Sequence, residues 1–164
     1  MKDAWLAGLL LTLLLGVMPA RGADDPRLEN LALCRDSWLE WKTSDPAKLN
    51  SVAAYFRFAF THTGNDAFAT PNAPTTLGSL KVTRIFPDSV GMGVGFSAQV
   101  DATFDEARKA IEQRLGKPLS QCEASDGMRS CGLPIAAQRT LVVMSGDPPD
   151  DRVTLIGCYY LYEK

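Results

Sequence analysis

Hydrophobic positions follow three kinds of pattern along this chain. The first is a run. Ala4 to Met18 is almost wholly apolar, with Leu9, Leu10, Leu11 and Leu13, Leu14, Leu15 at its centre. The second has the period of a helix. Leu31, Cys34, Trp38 and Trp41 recur behind Asp25 and Pro26, an N-cap and a first-turn proline. This predicts an amphipathic helix from Pro26 to Trp41 or Lys42. Asp45 and Pro46 repeat the start signal, and Leu49, Val52, Ala53 and Phe56 continue a helical stripe. Phe56, Phe58 and Phe60 also alternate with Arg57, Ala59 and Thr61, as a strand would. The spacing predicts a helix from Pro46 to about Phe60, with helix followed by strand as the alternative. A third helix follows the capping box Thr103–Glu106, where Phe104, Ala107, Ile111 and Leu115 share a face and Gly116 supplies the stop.

The third pattern is alternation with a period of two. Leu80–Phe86 and Met92–Ala102 read as strands joined around Pro87, Asp88 and Ser89. Ile135–Ser145 and Arg152–Tyr162 read as two more, flanking Gly146–Asp151. Residues 63–79, rich in Gly, Asn, Thr and Pro, read as a long surface loop. Hairpins dominate and no βαβ alternation is present. The expected fold is therefore α+β: an antiparallel sheet of four to six strands built from hairpins, about three helices packed on one face, and two disulfides.

The N-terminal run changes this picture, because it matches a secretory signal peptide. Lys2 gives a positive start, Pro19 breaks the apolar stretch, and Ala20-Arg21-Gly22 offers small residues at a cleavage site. The run is too short for a good membrane span. Residues 1–22 are expected to be removed, leaving 23–164 as one globular domain with no membrane span. Without Lys2, Arg21 and Asp3, the 17 basic and 19 acidic residues reduce to a net charge of −3. No basic run favours nucleic acid. With 46% apolar and 22% charged residues, the composition is that of a folded protein.

Export makes the cysteines informative. All four, Cys34, Cys122, Cys131 and Cys158, lie after the run. An even count in an oxidising compartment predicts two disulfides, with three possible connectivities. Asp126-Gly127 between Cys122 and Cys131 is a tight-turn signal that brings those two sulfurs together in a hairpin. Cys34–Cys158 is then the second bridge, tying the first helix to the last strand. A metal or redox site is the alternative. There is no C-x-x-C, and His62 is the single histidine.

Catalytic signatures do not emerge. Gly91, Gly93 and Gly95 suggest a phosphate loop, but Phe96 stands where the dinucleotide fingerprint needs its third glycine. On a strand these glycines leave one face bare, which predicts a close approach by the protein's own packing, a bulge or a partner. His62 lacks a marked nucleophile beside it. Asp105, Glu106 and Glu112 fit a helix first turn and surface better than a carboxylate pair. The dense turn Asp147-Pro148-Pro149-Asp150-Asp151 is a solvated hairpin turn, with calcium ligation or an acidic finger for a basic cleft as alternatives.

No catalytic residue, metal or cofactor is expected. The sequence points to an exported, non-enzymatic binding protein. The leading expectation is a periplasmic inhibitor or immunity protein that neutralises an envelope-targeting toxin or hydrolase. Its expected partner contacts are Asp147, Asp150, Asp151, Asn65, Asp66 and Asn72, all in loops on a rigid scaffold. The alternatives are an envelope-assembly or ligand-binding module for a lipid, glycan or peptide, and a small hydrolase using His62.

Overall fold

The alternating segments build one long sheet. The computed structural model describes residues 23–36, 59–62, 68–87, 89–90, 93–145 and 152–160. The apolar run 1–22 and most of the helix expected from Pro46 lie outside them. In chain order the elements are β1 (Ala23–Asp24), α1 (Pro26–Ala32), β2 (Phe60–His62), β3 (Ala69–Pro71), β4 (Thr75–Leu77), β5 (Leu80–Phe86), β6 (Ser89–Val90) and β7 (Gly93–Asp101). Then come α2 (Phe104–Leu115), β8 (Gln121–Ser125), β9 (Met128–Ala136), β10 (Arg139–Ser145) and β11 (Val153–Tyr160).

The fold is an antiparallel, sheet-rich α+β arrangement stapled by two disulfides, as expected. The element count is not as expected. Among the described residues there are two helices and nine strands of three residues or more, besides the two-residue β1 and β6. Three of these, β2, β3 and β4, are extra to the six that the hairpin pattern offers, and one boundary moves. The supposed loop 63–79 holds β3 and β4, each too short to show a period, yet Ala69 and Leu77 are buried. The supposed single strand Ile135–Ser145 is split at Ala137-Gln138, a turn without glycine, proline or asparagine to mark it.

The sheet runs β1-β4-β5-β7-β11-β10-β9-β8. Only β1–β4 is parallel among these pairs. The last strand, β11, is central, bonded to β7 on one side and β10 on the other. One face presents Val82, Ile85, Phe96, Ala98, Val100, Leu141, Val143, Ile156 and Cys158 to a single core, shared with Leu28 and Leu31 of α1 and Phe104, Ala107 and Ile111 of α2.

Helix α1 starts as expected, with the Asp25 carboxylate accepting from the backbone N–H groups of Arg27 and Leu28. It ends far earlier than Trp41. Cys34 takes a left-handed φ of 59°. The N–H of Arg35 then bonds to the carbonyl of Asn30 at 2.8 Å, and that of Cys34 to Leu31 at 3.2 Å. This is a Schellman stop with cysteine in the place normally held by glycine. The Cys34–Cys158 disulfide fixes that residue to β11. Helix α2 matches expectation throughout: Thr103 and Glu106 form a reciprocal capping box, and Gly116 closes it at φ 68°.

Ala59 is helical and Phe60 opens β2, so at its described end the segment follows the helix-then-strand alternative. At Gly95 the bare face is filled by the protein itself. At Gly95 an added Cβ would lie 2.0 Å from the Cys158 carbonyl oxygen and 2.8 Å from Val90 Cγ2.

Among the described residues, one charged group is buried. Glu29, only 5% exposed, joins α1 to the last turn of α2. Its carboxylate accepts from Arg114 Nε at 3.0 Å and Nη2 at 2.5 Å, and from Arg35 Nη1 at 2.7 Å. The Arg114 hydrogen bonds hold the Glu29 carboxyl below its usual pKa of 4.5, against burial, which raises it. A carboxyl depressed in the folded state stabilises the fold above its unfolded pKa, and that stabilisation is lost as pH falls through the folded value. Glu29→Gln should therefore cost about 1–2 kcal/mol at neutral pH. The deficit should shrink as the solution is acidified below pH 4.5. Urea midpoints across an acid series read this directly, and an equal deficit at both ends would refute the linkage.

Candidate functional site

Among the described residues, the strand exposed along its whole length is β8, in the hairpin β8–β9 at the end of the sheet. Its turn is Asp126-Gly127, with φ of 52° and 83°, and Ser125 pairs with Met128 across it. Both left-handed residues identify the two-residue type I′ turn that the Asp-Gly signal predicts. Further down, Cys122 pairs with Cys131, and the two form a disulfide with Cα atoms 4.0 Å apart. All five residues of β8 are exposed. At the tip Met128 is 39% exposed, one of few large apolar side chains so placed among the described residues.

The hairpin is fixed close to its tip. The Arg129 guanidinium lies 4.4 Å from the centre of the Phe104 ring and 3.2 Å from the Asp105 carboxylate. The Arg129 N–H donates to Ser145 Oγ at 2.8 Å. The segment leading into β8 is held by Glu112, which accepts from the Leu119 N–H at 3.0 Å and Arg108 Nε at 2.9 Å. Those bonds, the backbone one first, lower the Glu112 pKa. The result is a short finger whose backbone is set by turn type, disulfide and anchors before any partner arrives. A preordered surface of this kind loses little entropy on binding.

A second feature is a cleft of about 260 Å³ between α1, α2 and the β4–β5 turn. Leu33, Leu77, Ala110 and Ile111 line it, and Glu29 and Arg114 stand at its wall. A shallower continuation carries Ser79, Lys109 and Gln113 toward the Arg152–Asp101 pair.

The residues expected to bind a partner fare unevenly. Asn65, Asp66, Asp147, Asp150 and Asp151 lie outside the described residues. Asn72 is described and serves the fold: its side-chain oxygen accepts from Thr61 Oγ1, and its N–H bonds to the Ala59 carbonyl at 2.9 Å. His62 is exposed on β2, paired with Ala69. Among the described residues no group of three His, Cys, Asp or Glu side chains is placed to hold a metal, and no helix is long and apolar enough to cross a membrane. Glu106, Asp105 and Glu112 are engaged in the cap, the Arg129 anchor and the Leu119 bond. The four cysteines pair as expected, Cys34 with Cys158 and Cys122 with Cys131.

Sequence reasoning found the hairpin but gave it only a structural role. Glu123, Asp126 and Met128 were not among its candidate contacts, although the turn signal and flanking cysteines marked where a rigid projection would be. Set against known protein families, characterised proteins and solved structures, the chain finds no match.

Proposed function

We propose that this chain is an exported, non-enzymatic protein-binding protein, an inhibitor or immunity protein of the periplasm that neutralises an envelope-targeting toxin or hydrolase. The observation that carries the reading is the stapled hairpin at the end of the sheet, whose strand β8 is exposed along its length. Loops and turns held on rigid scaffolds are the usual carriers of recognition. The leading apolar run and the two disulfides support an oxidising compartment. The form isolated from periplasm should have an intact mass beginning at Ala23.

The test is a titration. The toxin or hydrolase encoded beside this gene is assayed on cell-wall substrate with increasing amounts of the purified protein. Inhibition should saturate at one to one. Met128→Asp together with Asp126→Lys, both exposed positions, should raise the inhibitory concentration by about tenfold or more. His62→Ala should leave it unchanged. Full enzyme activity at saturating excess rejects the inhibitor reading, and loss of function in His62→Ala without loss of stability restores the hydrolase.

The cleft between α1 and α2 favours a second reading, a module that holds a small ligand of the envelope. Native mass spectrometry separates the two: that reading requires a bound small molecule, the first a protein at equal stoichiometry.

A further inference from the structure

We propose that the outer edge of β8 is the docking surface itself, and that it captures an extended, basic segment of the partner by strand addition. This rests on the protein-binding reading above but goes beyond it, naming the mode and the chemistry of the partner.

The argument begins with the phase of the hairpin. In a two-residue hairpin the residues flanking the turn form a hydrogen-bonded pair, and bonded and non-bonded pairs then alternate. Ser125–Met128, Glu123–Ser130 and Gln121–Gly132 are therefore the bonded pairs of the register. Ala124–Arg129 and Cys122–Cys131 are non-bonded pairs. Two observations agree with this phase. The Arg129 N–H points away from β8 and reaches Ser145 Oγ. The 4.0 Å separation of the Cys122 and Cys131 Cα atoms is that of a close, non-bonded pair.

It follows that the N–H and C=O groups of Cys122 and Ala124 point outward, and among the described residues no strand lies beyond β8. They form a ready row of two donors and two acceptors. Natural sheets usually blunt such an edge with charged side chains, lysine above all, with proline or with a bulge. β8 reads Gln121, Cys122, Glu123, Ala124, Ser125, with neither proline nor lysine and with the single charge of Glu123, and its pairing with β9 is unbroken. The disulfide ties the edge to β9.

Charge selects the occupant. Glu123 is exposed at the middle of β8 and has no ion pair or side-chain hydrogen bond to any described residue. An added strand sets one residue beside it, and a lysine or arginine there forms a favourable cross-strand pair. A second copy suits the edge less well, because antiparallel self-pairing centred on this position sets Glu123 against Glu123.

The probe is a display library of short linear peptides selected on the protein purified from periplasm. Enriched peptides should alternate β-branched residues about a lysine or arginine, and their binding should protect the Cys122 and Ala124 amides from hydrogen exchange. Ala124→Pro removes an outward N–H that the hairpin does not use, at an edge position where proline is tolerated. It should keep the melting temperature and lose peptide binding by about tenfold or more. Glu123→Lys should keep the fold and switch selection to acidic peptides.

No enrichment, protection at another surface, or undiminished binding to Ala124→Pro each overturns the proposal. A dimer of the unmodified protein that Ala124→Pro dissolves overturns the assignment of the occupant. The two readings fail separately. Toxin inhibition that survives Ala124→Pro removes strand addition and leaves the inhibitor. Peptide capture on this edge without inhibition does the reverse.

Discussion

Gly95→Ala should be among the most damaging single substitutions in this protein. The new Cβ would stand 2.0 Å from the carbonyl oxygen of Cys158 and 2.8 Å from Val90 Cγ2. The valine methyl can turn aside, but the carbonyl belongs to the backbone of β11. It cannot retreat without disturbing the β7–β11 ladder and the disulfide that holds Cys158 to Cys34. The expected loss is about 3 kcal/mol or more, at the upper end of what overpacking costs. Gly116→Ala is the control. That residue sits at φ 68° with nothing within 4 Å of the added atom, so only the left-handed penalty applies, about 1–2 kcal/mol. Equal melting temperatures for the two variants would show that β7 and β11 do not approach as closely as described.

The second large effect belongs to the buried disulfide. Cys34 and Cys158 are separated by 124 residues, Cys122 and Cys131 by nine. A crosslink that acts by restricting the unfolded chain makes the first bridge worth about 4–5 kcal/mol and the second about 2–3, through loop-closure entropy. Replacing Cys34 and Cys158 together by alanine should lower the denaturant midpoint far more than replacing Cys122 and Cys131. The binding assay should rank them the other way, because the short bridge holds the exposed finger. If the two double variants lose equal stability, the chain-entropy account is wrong here and packing around the sulfurs dominates.

How much of this was legible in the residues depends on where the signal lives. Helix α2 could be read in full because its cap, apolar face and stop are all local: Thr103, Glu106 and Gly116 act within a few positions of one another. The Asp126-Gly127 turn was legible for the same reason, and it led to both disulfides. The end of α1 was not. Cys34 takes the left-handed conformation that sequence patterns assign to glycine, and the bond that fixes it there is made with Cys158. The strands β3 and β4 were hidden because three residues cannot show a period, and Ala69 and Leu77 are buried by neighbours distant in sequence. Glu29 gave no hint of its role either. It reads as an ordinary helical glutamate until α2 brings Arg114, 85 residues away, against it. The hairpin as a binding surface lay between these cases. Its geometry was written locally, but the fact that it ends the sheet is a property of the whole topology.

The central place of β11 has a consequence for how the molecule comes into being. The strand that comes last among those described lies between β7 and β10 and carries the cysteine that anchors α1. Until Val153–Tyr160 emerges, the sheet is two separate pieces, and the core face lacks Ile156 and Cys158. The described sheet therefore cannot close before Tyr160 has been made. Pairings so distant in sequence also form slowly once they become available. The seam between β7 and β10 stays open until this strand from the far end of the described domain fills it.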